Sequence, residues 1–348
     1  MSRLDQKQDI RKLSLEQLIR FFEDHGEKAF RGRQVYQWLW EKSARDFESM
    51  TNLSEAHRSL LDQNFAIRPI KMETSQTSVD RTIKSVFKLH DEHLIEGVLI
   101  PTPHRMTACV SSQVGCSLSC KFCATGYMER ARNLEASEIY DQVVSIRKMA
   151  AESYQKPLTN IVFMGMGEPL LNYQNVLKAI DHITSPRGLG MASKRITVST
   201  AGIAKMIRKL GDDQVKFNLA LSLHAANDEK RSKIMPINES NSLKALESAL
   251  ISYYQATGNE VTFEYIVFYN FNDTLDDAKE LLNFTRKIPS KVNLIEYNPI
   301  EEANFLNTED DKLRVFADFL ESKGVNVRVR RSRGKDIDAA CGQLANKS

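Results

Sequence analysis

Residues 106–126 read Met106-Thr-Ala-Cys109-Val-Ser-Ser-Gln-Val-Gly115-Cys116-Ser-Leu-Ser-Cys120-Lys-Phe122-Cys123-Ala-Thr-Gly126. The run opens as a β-prone segment, Met106–Ser111, and continues into a loop whose cysteines are spaced C-x3-C-x2-C. Three thiolates can hold three irons of a [4Fe–4S] cluster and leave the fourth iron open to a ligand. Structural zinc and iron–sulfur sites usually take four protein ligands. A triplet without an adjacent fourth cysteine therefore points to an open, reactive cluster; the competing reading is a structural zinc completed by a distant histidine. Phe122 would shield a cluster from water, and Gly115 and Gly126 relieve crowding at the loop ends. The two other cysteines are Cys109, in the strand itself, and Cys341 near the C-terminus.

Working outward, strand-like and helix-like runs alternate on the C-terminal side of this loop. Strands are expected at 160–164, 195–199, 215–221, 261–267, 292–296 and 325–329. Amphipathic helices are expected near 135–152, 173–184, 202–211, 242–256, 275–287 and 309–323. Repeated βα units with short apolar strands imply an α/β fold, a parallel sheet with helices outside it. Six or so units suggest a partial (βα)6-type barrel with its chemistry at the C-terminal strand ends. Upstream, Ser85–Leu89 and Leu94–Ile100 read as further strands, and 11–65 reads as helical. The organisation expected is thus a small N-terminal helical domain at 1–75, a β-hairpin extension at 76–105, the barrel at 106–335 and a C-terminal tail at 336–348.

Several polar punctuations fall at or just past strand ends: Gly165-Met-Gly167-Glu168-Pro169, Ser199-Thr-Ala-Gly202, Ser222-Leu223-His224 and Asn298-Pro299. Glycines admit a ligand close to backbone, and Glu168 offers a carboxylate to an ammonium group. Singly, each fits a turn or cap; their common place on one rim favours a ligand site. Lys28-Ala-Phe-Arg-Gly-Arg-Gln34 suits either a solvated helix connection or a grip on a nucleic-acid backbone. Arg328-Val-Arg-Arg-Ser-Arg-Gly-Lys335 places five cations in eight residues just before the tail, as a solvated strand edge or a phosphate-binding stripe.

The bulk numbers fit a water-soluble chain: 348 residues, 42% hydrophobic, 27% charged, net charge +3. No apolar run approaches the roughly 20 residues that span a bilayer, so no membrane is expected. Met1–Lys7 lacks an apolar h-region, so a cytoplasmic protein is expected, where clustered cysteines bind metal or catalyse rather than form a disulfide framework.

The triplet with its aromatic, followed by a Gly-rich Glu motif on the next strand, resembles the radical S-adenosylmethionine (SAM) enzymes. Ser111–Cys116, Arg132-Asn-Leu134, Gly165–Asn172, Met235-Pro-Ile-Asn238, Tyr297-Asn-Pro299 and Asp336–Leu344 are similar to segments of the adenine-C2 RNA methyltransferases. Phe30–Tyr36 and Met50–Ser54 extend the likeness over nearly the whole chain. The resemblance implies one [4Fe–4S] cluster on Cys116, Cys120 and Cys123, and SAM contacts from Gly167, Glu168, Ser199, Ser222, Leu223, His224 and Asn298. It further implies methylation of Cys341, a transient disulfide between Cys341 and Cys109, and Glu96 as proton acceptor. Read on its own, Glu96 could be an outward strand carboxylate.

The implied reaction methylates C2 of adenosine 2503 in 23S rRNA and C2 of adenosine 37 in some tRNAs, through a protein–RNA adduct and two S-adenosyl-L-methionine molecules per turnover. Adenine C2 has no nucleophilic lone pair, so it cannot attack a sulfonium methyl directly; two cysteines beyond the triplet then have a purpose. Flipping of the base into the barrel mouth is the expected access. The implied partners are 23S rRNA, tRNA and an external electron donor such as flavodoxin or ferredoxin, acting on a monomer. Competing readings are C8 methylation of the same adenosine and a non-catalytic, metal-stabilised RNA-binding module. The chain departs from the family pattern at Glu129-Arg130, where relatives usually carry Gly-Phe.

Overall fold

The computed structural model describes residues 7–346; positions 1–6 of the N-terminal stretch read above lie outside the described residues. In chain order the strands are β1 (Gln8–Asp9), β2 (Phe65–Ala66), β3 (Lys71–Thr77), β4 (Ile83–Lys88), β5 (Leu94–Pro101), β6 (Met106–Cys109), β7 (Gln113–Val114), β8 (Arg132–Asn133), β9 (Asn160–Phe163), β10 (Ile196–Thr200), β11 (Asn218–Ser222), β12 (Val261–Val267), β13 (Ser290–Glu296) and β14 (Asn326–Arg330). The α-helices are α1 (Leu15–Asp24), α2 (Phe30–Trp40), α3 (Glu55–Asn64), α4 (Ala136–Tyr154), α5 (Tyr173–Thr184), α6 (Ala204–Asp212), α7 (Asp228–Ile234), α8 (Leu243–Thr257), α9 (Leu275–Thr285) and α10 (Asp310–Ser322).

One ten-stranded sheet runs in the order β14-β13-β12-β11-β10-β9-β6-β5-β4-β3. From β6 to β14 every neighbouring pair is parallel. Six βα units, from β6–α4 to β13–α10, and the last strand β14 make the expected partial barrel. Its central strands are buried on both faces, which is why Val261–Val267 reads as an almost unbroken apolar run. The sheet continues antiparallel through β5, β4 and β3, so the hairpin extension is an arm of the same sheet. Strand β3 is exposed along its whole length.

The N-terminal helices pack tightly on one another and dock on the barrel helices. A Cβ on Gly32 of α2 would lie 2.6 Å from the backbone nitrogen of Ile19 in α1, so only glycine allows that approach. Buried Arg11 bridges Asp9 at 2.9 Å and Asp141 of α4 at 2.8 Å. Trp40 stacks face to face on His182 of α5 at 3.6 Å, and its carbonyl accepts the Tyr140 hydroxyl of α4 at 2.6 Å.

Candidate active site

Parallel register carries the strand-end residues to one rim. Ser222 of β11 lies opposite Glu264 of β12, Glu264 opposite Asn293 of β13, and Asn293 opposite Arg328 of β14. Strands β9–β13, the cysteine loop and the tail line one cavity, the concave kind of surface at which small molecules bind. Cys116, Cys120 and Cys123 line it together with Gly167, Glu168, Ser199, Ser222 and His224. Of the expected SAM contacts, Leu223 and Asn298 do not line it. Leu223 is fully buried in the core, and its carbonyl accepts from Arg231 Nε at 3.1 Å.

Local chemistry orients each group. Glu168 Oε1 caps the next turn through Leu170 N at 3.0 Å, and its Oε2 accepts from Ala201 N at 2.7 Å; burial pushes this carboxyl above its usual range. Gly167 has φ +92, and a Cβ there would sit 2.4 Å from the Gln113 side chain, so no other residue fits. Ser199 and Ser222 hydroxyls lie 3.2 Å apart. His224 Nδ1 accepts from Ile266 N at 3.1 Å, so its proton sits on Nε2. Burial and Arg231 lower this imidazole to about 3, so it is neutral near pH 7.

The three loop thiols fit a cluster. Leu118, Phe122, Met235 and Ile266 make the surrounding wall apolar, and Phe122 packs edge-on to His224 at 4.7 Å. Burial raises all three thiols, Cys120 well above its ordinary value and Cys116 to about 11; binding iron displaces those protons. Among the described residues, no group of three or more His, Cys, Asp or Glu is arranged to hold a metal ion. The buried Oδ1 of Asn298 lacks a protein partner while its Nδ2 donates to the Cys341 carbonyl at 3.0 Å. It is the kind of buried acceptor that a ligand's N–H or O–H would satisfy.

A second cavity adjoins the first and is lined by Cys109, Asn293, Arg105, Arg328, Arg330 and Arg331 among others. Glu264 and Cys341 line both cavities. Glu264 accepts from Asn293 Nδ2 at 2.8 Å and pairs with Arg330 at 3.2 Å. Glu264 was not singled out by sequence, although a lone carboxylate inside an apolar strand was a usable signal; Arg330 was read there only as one cation of the 328–335 stripe. Cys341 is exposed, at the concave mouth, and Cys109 is buried and raised to about 12.

All five cysteines are free thiols; the expected Cys109–Cys341 disulfide is not a standing crosslink, although the tail does fold back so that both residues border one cavity. Glu96 is 0% exposed and lines neither cavity. The outward-carboxylate reading is thereby corrected: its Oε2 accepts from Ala345 N at 2.9 Å and Asn346 N at 3.2 Å. The departing Glu129-Arg130 pair is exposed, and the Glu129 carbonyl closes over Gly115. No helix is long and apolar enough to cross a membrane among the described residues.

Comparison with known proteins agrees with this geometry. Residues 8–67 match the ribosomal RNA large subunit methyltransferase N-terminal domain, and 110–285 match the radical SAM superfamily. A probable dual-specificity RNA methyltransferase RlmN of Cytophaga hutchinsonii is 66% identical over 98% of this chain and 93% of its own. The Salinibacter ruber protein of the same description is 46% identical over 97% of this chain and 94% of its own. A radical SAM methyltransferase crystal structure from Sphaerobacter thermophilus superposes with TM-score 0.92 at 38% identity, covering 98% of this chain and 100% of that one. The chain belongs to the RlmN family of radical-SAM RNA methyltransferases.

Proposed function

We propose that this enzyme methylates C2 of adenosine in 23S rRNA and in tRNA, with Cys341 as the carrier of the methyl group. The observation that supports it is the placement of Cys341. It alone among the cysteines borders both the cavity of the thiol triplet and the adjoining arginine-lined cavity that contains Cys109. Cys116, Cys120 and Cys123 would hold a [4Fe–4S] cluster, and Gly167, Glu168, Ser199, Ser222, His224 and Asn298 would surround SAM, with Leu223 packed behind them in the core. When bound, these groups supply a transferable methyl and a carbon radical.

The chain's own residues then divide the remaining work. Cys341 presents its sulfur to the first cavity to accept a methyl and to the second to deliver it. Cys109 borders the base-binding cavity, so its thiolate is placed to take the C2 proton. After passing that proton to solvent it can attack the Cys341 sulfur: the S–S bond forms as the bond from that sulfur to the transferred carbon breaks, and the released carbon takes up a proton to become the methyl group, leaving a transient disulfide. Arg105, Arg328 and Arg331 meet phosphates at the mouth. An external reductant then restores the two thiols.

The test is anaerobic reconstitution with about four irons per chain, followed by RNA methylation with C2-deuterated adenosine. Mass spectrometry should show loss of deuterium with methyl gain, and a Cys109→Ala enzyme should trap RNA covalently on Cys341. Retained deuterium, or no adduct under conditions where SAM is consumed, would overturn the reading.

A further inference from the structure

The tail that carries Cys341 is strapped on both sides by the antiparallel arm β3–β5. On its N-terminal side, Asp80 accepts from Gly334 N at 3.0 Å, and Asp336 accepts from Ser78 Oγ at 2.5 Å and Val79 N at 3.1 Å. On its C-terminal side, Glu96 Oε2 accepts both Ala345 N and Asn346 N, and the Asn346 amide donates to Leu94 O at 2.7 Å. Between the two clamps, Gly342 O accepts from Ala124 N at 2.7 Å and Leu344 O from Thr125 Oγ1 at 2.5 Å. Leu344 itself is buried.

The second clamp is unusual in its chemistry. Glu96 has no exposure, and an isolated buried carboxylate is strongly penalised by charge desolvation. Its counter-charge is Lys84, only 4% exposed, with Nζ 3.4 Å from Glu96 Oε1. Lys84 sits on β4, whose Val86 is the register partner of Glu96, so the two side chains meet diagonally on one face. The charged pair thus serves a chain end, a place where ordinary backbone frays unless it is tied down.

We propose that Lys84 and Glu96 are positioning residues for Cys341: the Lys84-held carboxylate fixes the tail amides and thereby sets the place of the carrier sulfur between the two cavities. The proposal rests on the reading of Cys341 as methyl carrier. It gives Glu96 a role different from that of proton acceptor, and it gives Lys84 a role that the family resemblance does not supply.

The test uses the full-length, cluster-loaded enzyme. Amide hydrogen exchange of the 340–346 peptide reports the clamp, and mass spectrometry of Cys341 after single-turnover exposure to SAM reports its consequence. Glu96→Ala should raise exchange and slow Cys341 methylation at least tenfold. Glu96→Gln, whose amide oxygen still accepts both N–H groups, should hold exchange within about threefold of the parent. Lys84→Met strands a buried carboxylate and should loosen the tail, and the Lys84→Met/Glu96→Gln double variant should restore it. Parental exchange in Glu96→Ala would overturn the clamp. A Glu96→Ala enzyme that methylates Cys341 at the parental rate and stalls with RNA attached would make Glu96 the proton acceptor instead. If the parent itself never methylates Cys341, the carrier reading falls, while the exchange data still decide the clamp.

Discussion

Arg231 is wholly buried and forms no ion pair among the described residues. Its guanidinium donates to the carbonyls of Leu223 at 3.1 Å, Ala201 at 2.5 Å and Ser222 at 3.3 Å, and to Asn238 Oδ1 at 2.7 Å. Burial lowers its pKa to about 10, with Cys120 and Asp228 opposing. It is a strut that ties the ends of β10 and β11 behind the cavity wall. Arg231→Met leaves buried acceptors without donors, at about 1–3 kcal/mol each when unrelieved. The expected net loss is about 3 kcal/mol in urea unfolding, with Arg231→Lys recovering part of it. In sequence, Arg231 is one cation in Asp228-Glu-Lys-Arg-Ser-Lys-Ile234, and nothing in its type separates it from Lys230 or Lys233. Only the short helix's single inward stripe, Arg231 and Ile234, makes it different.

At the scale of elements, the contact between α2 and α5 has a pH signature. His182 is lowered to about 4 by desolvation, with Lys178 adding to the effect, while its ring stacks on Trp40 and faces the Tyr36 hydroxyl at 3.5 Å. Below the ordinary value of 6.5 the unfolded chain takes up a proton that the folded chain refuses. The stability is therefore whole above pH 6.5 and is lost as pH falls toward 4, by about 1.4 kcal/mol per pH unit for one site. His182→Phe keeps the stack and removes the titration, so its melting temperature should fall less than the parent's between pH 7 and pH 4.5. Equal slopes would discount the site. The elements themselves differed in legibility for physical reasons. Doubly buried parallel strands such as Val261–Val267 announce themselves by apolar runs, and α4, α5, α8 and α10 by amphipathic period. Strand β3, Lys71-Met-Glu-Thr-Ser-Gln-Thr77, is exposed on every residue and carries no alternation to read. Helix α7 spans seven residues and is too polar to show a period.

For the molecule as a whole, a net charge of +3 conceals an asymmetric mouth. The open barrel leaves β14 at one sheet edge, and its Arg328 and Arg330 share the second cavity with Arg105, Arg331 and Arg333. The stripe 328–335 was legible because five cations crowd into eight residues; Arg105 was not, because only the fold brings the β5–β6 turn beside β14. These cations are differently committed. Arg330 is held by Glu264, Arg331 by Asp310 at 2.9 Å, and Arg333 by Asp80 at 3.5 Å. No ion pair among the described residues engages Arg105 or Arg328, so these two offer charge to a phosphate at least cost in broken contacts. Each phosphate neutralised releases counterions worth about 0.9 in the slope of log K against log salt for a duplex and about 0.7 for a single strand. Arg105→Ala/Arg328→Ala should therefore weaken RNA binding and reduce that slope by about 1.4–1.8, while Cys341 methylation in the absence of RNA stays at the parental rate. Arg331→Ala, which also frees Asp310, should change the slope by less. A double variant with the parental salt slope would place the RNA backbone elsewhere on the molecule, and the helical face of Arg31 and Arg33 would be the next surface to vary.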